Sequence, residues 1–213
     1  WNITDKISAK IDNKNISSVL LDVRDKHEID KTFKKYKPDI ILHAAALKHV
    51  PICEDHPSDA MKTNIIGTKN ISEKAIKYRT EIMVSISTDK AVDPTNFMGA
   101  SKRAAEIYIQ NLDREKSYTD FVTVRFGNVL GSTGSVIPLF QNQISRGGPL
   151  KVTHKETTRF FMSVKEAVEL VLISLNSSIN KKEKGDINVL EMGEPMKIDN
   201  LAKQLARLSG LTP

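Results

Sequence analysis

Ser87-Thr88-Asp89-Lys90 sets a hydroxyl, a carboxylate and an ammonium side by side at the end of an apolar run, Glu81-Ile82-Met83-Val84-Ser85-Ile86-Ser87. Such a run reads as a buried strand. In open α/β sheets small molecules bind beyond the ends of strands. A donor, an acid and an amine base at that rim suit proton transfer on a bound small molecule. Asn96-Phe97-Met98-Gly99-Ala100-Ser101-Lys102 then reads as a loop and the opening of a helix. Met98 and Lys102 stand four apart, so they share one helix face.

Other reactive residues are weaker signals. His43, His49, Cys53 and His56 lack the paired spacing of a zinc site, and a single cysteine weakens a metal reading further. No metal is expected. Lys48 and His49 are better suited to an anionic substrate. Asn64 stands where helical spacing predicts mid-helix, a poor place for Asn; an amide that organises nearby backbone and a plain exposed position are both open readings. Arg125, at a strand end, is as well suited to a structural ion pair as to a ligand.

The elements that must carry these residues alternate between strand and helix. Ser18–Val23 and Asp39–His43 read as strands, the second running into Ala44-Ala45-Ala46. These small residues let a flat cofactor approach the backbone. Asp25-Lys26-His27-Glu28 has capping-box spacing, ahead of Ile29, Phe33 and Tyr36 at helical intervals. After Pro57-Ser58, Met61, Ile65, Thr68, Ile71 and Ala75 predict one face of a long helix. A strand over 82–87 precedes a helix from about Gly99 to Leu112. Phe121–Phe126 predicts another strand, ending in Gly127-Asn128-Val129-Leu130-Gly131.

Past Gly134 the pattern is less regular, with Leu150-Lys151-Val152 as a short strand. Ser163 caps a helix with Ala167, Leu170, Val171 and Ser174 inward. Asp186–Leu190 is a strand, and Asp199 caps a last helix carrying Leu201, Leu205 and Leu208, closed by Gly210. The alternation predicts an α/β fold, a doubly wound, Rossmann-like parallel sheet with a smaller substrate-side region. The Gly-rich turn that cradles a dinucleotide pyrophosphate is not found in the sequence; Gly127-Asn128-Val129-Leu130-Gly131 has the wrong spacing and comes too late.

The 213 residues suit one domain, or one and a part, with 39% hydrophobic and 27% charged residues. No apolar run reaches the roughly 20 residues of a membrane span. A single cysteine excludes an internal disulfide and fits a reducing compartment. The formal charge of +6 is spread over scattered lysines with few aromatics between them. That pattern argues against nucleic acid as a partner. Lys181-Lys182-Glu183-Lys184-Gly185 reads as a surface loop.

Several blocks together carry a resemblance: His43-Ala44-Ala45-Ala46-Leu47-Lys48-His49-Val50-Pro51, the run Ile86 to Lys102, Val124 to Pro138, Thr158-Arg159-Phe160-Phe161-Met162 and, more weakly, Met192-Gly193-Glu194-Pro195. They resemble the extended short-chain dehydrogenase/reductases. Within these, the chain is similar to the UDP-N-acetylglucosamine 4,6-dehydratases of bacterial capsule and glycan biosynthesis, in particular the large membrane-anchored type.

The resemblance implies NAD as cofactor, a UDP-N-acetylhexosamine as substrate and a homo-oligomer. It implies that Asp22 and Val23 contact adenine, that Ala44, Ala45 and Ala46 line the cofactor, and that Lys102 binds the nicotinamide ribose. Most relatives have Tyr where Met98 stands; a thioether has no proton to exchange, so the usual Tyr mechanism is excluded. Met at this position matches the large-dehydratase subgroup. Thr88, Asp89 and Lys90 would then carry the elimination. Lys90, as a lysine of lowered pKa, would take the C5 proton; Asp89, kept neutral by its surroundings, would protonate the departing C6 hydroxyl; Thr88 would orient the C4 hydroxyl.

His49, Asn128, Val136, Pro138 and Arg159 would form the substrate side, with Arg159 offering a forked cation to phosphate. The resemblance divides the chain into a partial NAD-binding region over 1–134 and a UDP-sugar region over 135–213, with 186–192 returning to the main sheet. It also implies that the first strand, the Gly-rich turn and a second strand stand before Trp1. The expected setting is the cytoplasm, at the inner membrane face if segments outside these residues anchor it. A nucleotide-sugar 4-epimerase and a non-catalytic nucleotide-sugar-binding module are the competing readings.

Overall fold

The first described helix begins where a carboxylate can satisfy its free amides. In the computed structural model, which describes residues 16–115, 117–132, 135–178, 184–189 and 192–211, Asp25 accepts hydrogen bonds from the backbone N–H of His27 and Glu28, both at 3.0 Å. This caps α1 (Lys26–Tyr36), which buries Ile29 and Phe33 and ends at Lys37, with φ of 43°. Strand β1 (Ile40–His43) leads through the alanines to α2 (Val50–Asp55). The next helix has three parts: α3 (Pro57–Met61), a π-helical stretch over Lys62–Gly67, and α4 (Thr68–Lys77). Strand β2 (Ile82–Thr88) ends in a single 3-10 turn, Asp89–Ala91, before α5 (Phe97–Arg114) and β3 (Asp120–Phe126).

The rest of the chain is built of shorter pieces. These are β4 (Asn128–Val129), α6 (Val136–Ser145), β5 (Thr158–Arg159), β6 (Phe161–Met162), α7 (Val164–Ser178), β7 (Ile187–Val189), β8 (Met196–Lys197) and α8 (Ile198–Leu208). None of the described helices is long and apolar enough to cross a membrane.

The main sheet has the order β1-β2-β3-β7, and every pairing is parallel. Parallel strands need both faces covered, and the sequence of β2 provides for that by alternation. Ile82, Val84 and Ile86 point to one face, where they pack with Val122, Val124, Ala167 and Val171 under α7. Met83 points to the other, packed with Ile29, Phe33, Ile71, Ala75 and Ile109 from α1, α4 and α5. Ser85 and Ser87 share that second face, so buried hydroxyls look toward α5. The fold is α/β and Rossmann-like. Two small pairings, β4 with β6 in parallel and β5 with β8 antiparallel, join the later elements to the rim of the sheet.

The structure departs from the sequence expectations in several places. Ser18–Val23 is not a strand: no described strand pairs with it, and Val19 and Leu20 stand exposed. Met61 is 47% exposed rather than inward. The π stretch after it adds residues to the turn, so the buried face restarts at Asn64, Gly67 and Thr68. Leu150-Lys151-Val152 has no strand pairing. Leu208 is 85% exposed although Leu201 is buried. Asp199 lies inside the first turn of α8, paired with Lys203, instead of capping it. The expected boundary at Gly134, Leu190 of the last strand and loop residues Lys181, Lys182 and Glu183 lie outside the described residues.

Candidate active site

The end of β2 carries a continuous hydrogen-bonded chain. Thr88 donates from Oγ1 to Asp89 Oδ1 at 2.8 Å. Lys90 donates from Nζ to the same oxygen at 2.9 Å and to Asn128 Oδ1 at 3.3 Å. Asn128 is turned to accept because its own Nδ2 donates to the Phe160 carbonyl. The Asp89 and Lys90 side chains are each about a quarter exposed, neither sealed nor fully solvated. An acid and an amine thus stand within one hydrogen bond of each other at the strand end.

Gly99 fixes where this segment sits. A Cβ at Gly99 would lie 2.2 Å from the Lys90 carbonyl oxygen. Only glycine lets the first turn of α5 approach the Lys90 backbone this closely. Asn96 caps the same turn, its Oδ1 accepting from the Gly99 N–H at 2.8 Å.

A second network lies beneath. Asn64, fully buried in the π stretch, grips the Leu47 peptide from both sides, accepting from its N–H at 2.8 Å and donating to its carbonyl at 3.0 Å. It also donates to Ser101 Oγ at 2.9 Å. One side chain thus ties the loop after β1 to α5. His43 Nε2 meets Thr68 Oγ1 at 3.0 Å. Thr68 spends its own proton on the Asn64 carbonyl, so the imidazole is the donor and carries its proton on Nε2. Burial, with Lys102 nearby, pushes the imidazole down to about 4, so it is neutral at ordinary pH.

Lys102 is buried on α5 and donates to the Ile86 carbonyl at 2.6 Å. Burial pulls its pKa down to about 8, partly opposed by the charge of Glu106. An ammonium has three protons, and this bond uses one.

Two cavities sit on these residues. One of about 360 Å³ is lined by Ala44, Ala46, His49, Thr88, Lys90, Met98, Lys102 and Asn128. The other, about 290 Å³, is lined by Val136, His154, Arg159 and Phe161, and it shares Asn128 and Ser135 with the first. Ser135 Oγ is buried at this junction and, among the described residues, has no hydrogen-bond partner. Among the described residues no cluster of His, Cys, Asp or Glu could hold a metal ion.

A model of the family described as polysaccharide biosynthesis proteins matches residues 1–213. The chain belongs to that polysaccharide biosynthesis family. It is 49% identical over 211 residues to the capsular polysaccharide biosynthesis protein CapD of Staphylococcus aureus, covering 99% of this chain and 35% of that protein. It is 39% identical over 202 residues to a UDP-glucose 4-epimerase of Rickettsia canadensis, covering 94% of this chain and 57% of that protein.

Among solved structures, Pen from Bacillus thuringiensis superposes with a TM-score of 0.86 at 32% identity, over 99% of this chain and 64% of that one. A double mutant of the dTDP-glucose 4,6-dehydratase DesIV from Streptomyces venezuelae, with NAD and DAU bound, superposes with a TM-score of 0.86 at 20% identity, over 97% of this chain and 67% of that one. The last likeness is one of fold. The chain spans about a third of the length of CapD.

In this member of the polysaccharide biosynthesis family, most of the expected site residues converge. Ala44, Ala46, His49, Thr88, Lys90, Met98, Lys102 and Asn128 surround the first cavity, and Val136 and Arg159 line the second. Ala45 and Pro138 line neither, and Asp89 reaches the first only through Thr88 and Lys90. Asp22 and Val23 stand apart from both. The Asp22 carboxylate is occupied by Arg24, whose guanidinium and backbone N–H hold it down to about 2. Val23 packs on the helix turn at Gly67, where an added Cβ would come within 2.6 Å of its Cγ2. Ser135 and Gly99 carry positions that sequence reasoning did not assign. The signal for Gly99 was in plain view, a glycine in the first turn of a helix next to the reactive segment.

The residues present fit the nicotinamide-ribose end of NAD. Ala44 and Ala46 present short side chains to the cavity, and Lys102 has donors to spare beside them. No Gly-rich phosphate turn stands among the described residues.

Proposed function

We propose that the full-length protein carrying these residues removes water from a UDP-N-acetylhexosamine, with UDP-N-acetylglucosamine the leading candidate, to give a UDP-4-keto-6-deoxy sugar for capsule or other surface glycan synthesis. The observation that carries this reading is the Thr88–Asp89–Lys90–Asn128 chain at the rim of β2, beside a buried Met98 that cannot exchange a proton. Elimination across C5 and C6 needs a base and an acid close together, and this pair supplies both. Residues 1–134 would form the cofactor side and 135–213 the UDP-sugar side.

Ala44 and Ala46 would hold NAD, whose nicotinamide would supply reversible hydride transfer between C4 and C6 and so be recycled rather than consumed. Thr88 holds the C4 hydroxyl, whose proton passes through the Thr88 hydroxyl to the Asp89 carboxylate as hydride leaves. Lys90, as the free amine, takes the C5 proton, made acidic by the new C4 carbonyl. Asp89, in its protonated form, gives its proton to the C6 oxygen, and water leaves. Lys90 returns the proton to C5 after hydride reaches C6, and the balance is one water lost. Lys102 would bind the ribose of the cofactor and add positive potential beside the oxidised sugar. Arg159 and the unpartnered Ser135 hydroxyl suit a diphosphate between the two cavities.

A sugar 4-epimerase is the second reading, favoured by the Rickettsia relative's name. Incubating the full-length protein with NAD and UDP-N-acetylglucosamine separates the two by product mass. Loss of one water supports dehydration; a product of unchanged mass defeats it.

A further inference from the structure

Glu106 is 2% exposed and has no place in the chemistry above. It lies one turn beyond Lys102 on α5, on the face that looks at β2. Its carboxylate takes a hydrogen bond from Ser87 Oγ at 2.6 Å. It also takes the fork of Arg125, with Nε at 2.7 Å, and a third contact from Arg103 at 3.0 Å. Ser87 and Arg125 are register partners on β2 and β3, so one carboxylate bridges two adjacent strands and a helix. Ser87 lies between Ile86, whose carbonyl holds Lys102, and Thr88, which starts the reactive chain. Burial opposes ionisation of Glu106, but the hydrogen bonds from Arg125, Ser87 and Arg103 hold it below the usual carboxylate range.

We infer that Glu106 is a positioning residue for the site: it pins the end of β2 between Lys102 and Thr88, and, one turn along α5, its carboxylate is the counter-charge to the Lys102 ammonium. This rests on the role given to Lys102 above. The charged and titratable groups around Lys102 are His43, Lys48 and His49 from β1 and its loop, Asp89 and Lys90 after β2, Arg125 on β3, and Arg103 and Glu106 on its own helix. His43 is neutral and Asp89 is paired with Lys90. Among the described carboxylates, Glu106, one turn from Lys102 on the same helix face, is the one whose charge opposes the effect of burial on Lys102.

The test measures Lys102 itself. In the full-length protein, acetylation of Lys102 by acetic anhydride is followed against pH by mass spectrometry of its peptide. Glu106→Gln should move the midpoint down by about one pH unit, and Arg125→Gln, which leaves the carboxylate less compensated, should move it up. Ser87→Ala keeps every charge, so the midpoint should stay while turnover falls several-fold. The alkaline limb of kcat/KM should follow the Lys102 midpoint in each variant. Should Glu106→Gln fail to fold, the upward shift in Arg125→Gln decides alone. A midpoint unmoved in folded Glu106→Gln, or in Arg125→Gln, overturns the inference. If the midpoints move as expected but Lys102→Met turns over normally, the inference about Glu106's charge stands and the catalytic role of Lys102 falls.

Discussion

Lys90 touches an acid and an amide from one position, and the proposed elimination depends on it. Lys90→Met removes the base and should lower turnover by about 10³-fold with little loss of stability, since the side chain is partly exposed. Met98 gives the complementary prediction. If it only fills space beside the sugar, Met98→Leu should keep turnover within a few-fold in steady-state assays; a loss comparable to Lys90→Met would mean the thioether has another task. His43 predicts a pH effect on stability. Its ordinary value of 6.5 falls to about 4 in the fold. The unfolded chain therefore binds the proton first as pH drops. Its stabilising contribution is full above 6.5 and is lost as pH falls through 4, by roughly 3 kcal/mol in total. Thermal melts of wild type and His43→Gln across this range should show the steeper acid decline only in the wild type.

The elements place these groups through two close approaches. At Gly99, α5 meets the Lys90 backbone with no room for a methyl group. Gly99→Ala should push the reactive turn aside and reduce kcat about 100-fold while the helix stays formed, as circular dichroism would report. At Asn64, the π stretch holds the Leu47 peptide and Ser101 together. Asn64→Ala would leave the part-buried Leu47 N–H and carbonyl without this partner and should cost about 1–3 kcal/mol by denaturant titration.

Elements with strong periodicity could be read from the sequence: α1 with its Asp25 cap, β2, β3, and α7 with Ala167 and Val171 inward. The reactive run at Thr88–Lys102 was legible too, because residue type and strand end coincide. What could not be read depends on distant partners. Ser18–Val23 has strand composition but no strand beside it here, and Met61 is turned outward by a π stretch that helical spacing does not anticipate. The buried Glu106–Arg125 pair needed the β2–β3 register to become visible.

At the scale of the whole molecule, the parallel sheet gathers the site at one end. β2 and β3 end level with each other, Thr88 beside Phe126, and the two cavities meet at Asn128 just beyond them. The smaller pairings, β4 with β6 and β5 with β8, bring Arg159 to the same end from far along the chain. In the proposed reading, a sugar would lie over Lys90 and a diphosphate toward Ser135. The decisive measurement follows the hydrogen on C4. UDP-N-acetylglucosamine carrying deuterium at C4 is incubated with the full-length protein and NAD, and the product is read by mass spectrometry and NMR. Dehydration by this site predicts loss of one water with the deuterium moved to C6; deuterium still on C4 of an epimer of unchanged mass would contradict it.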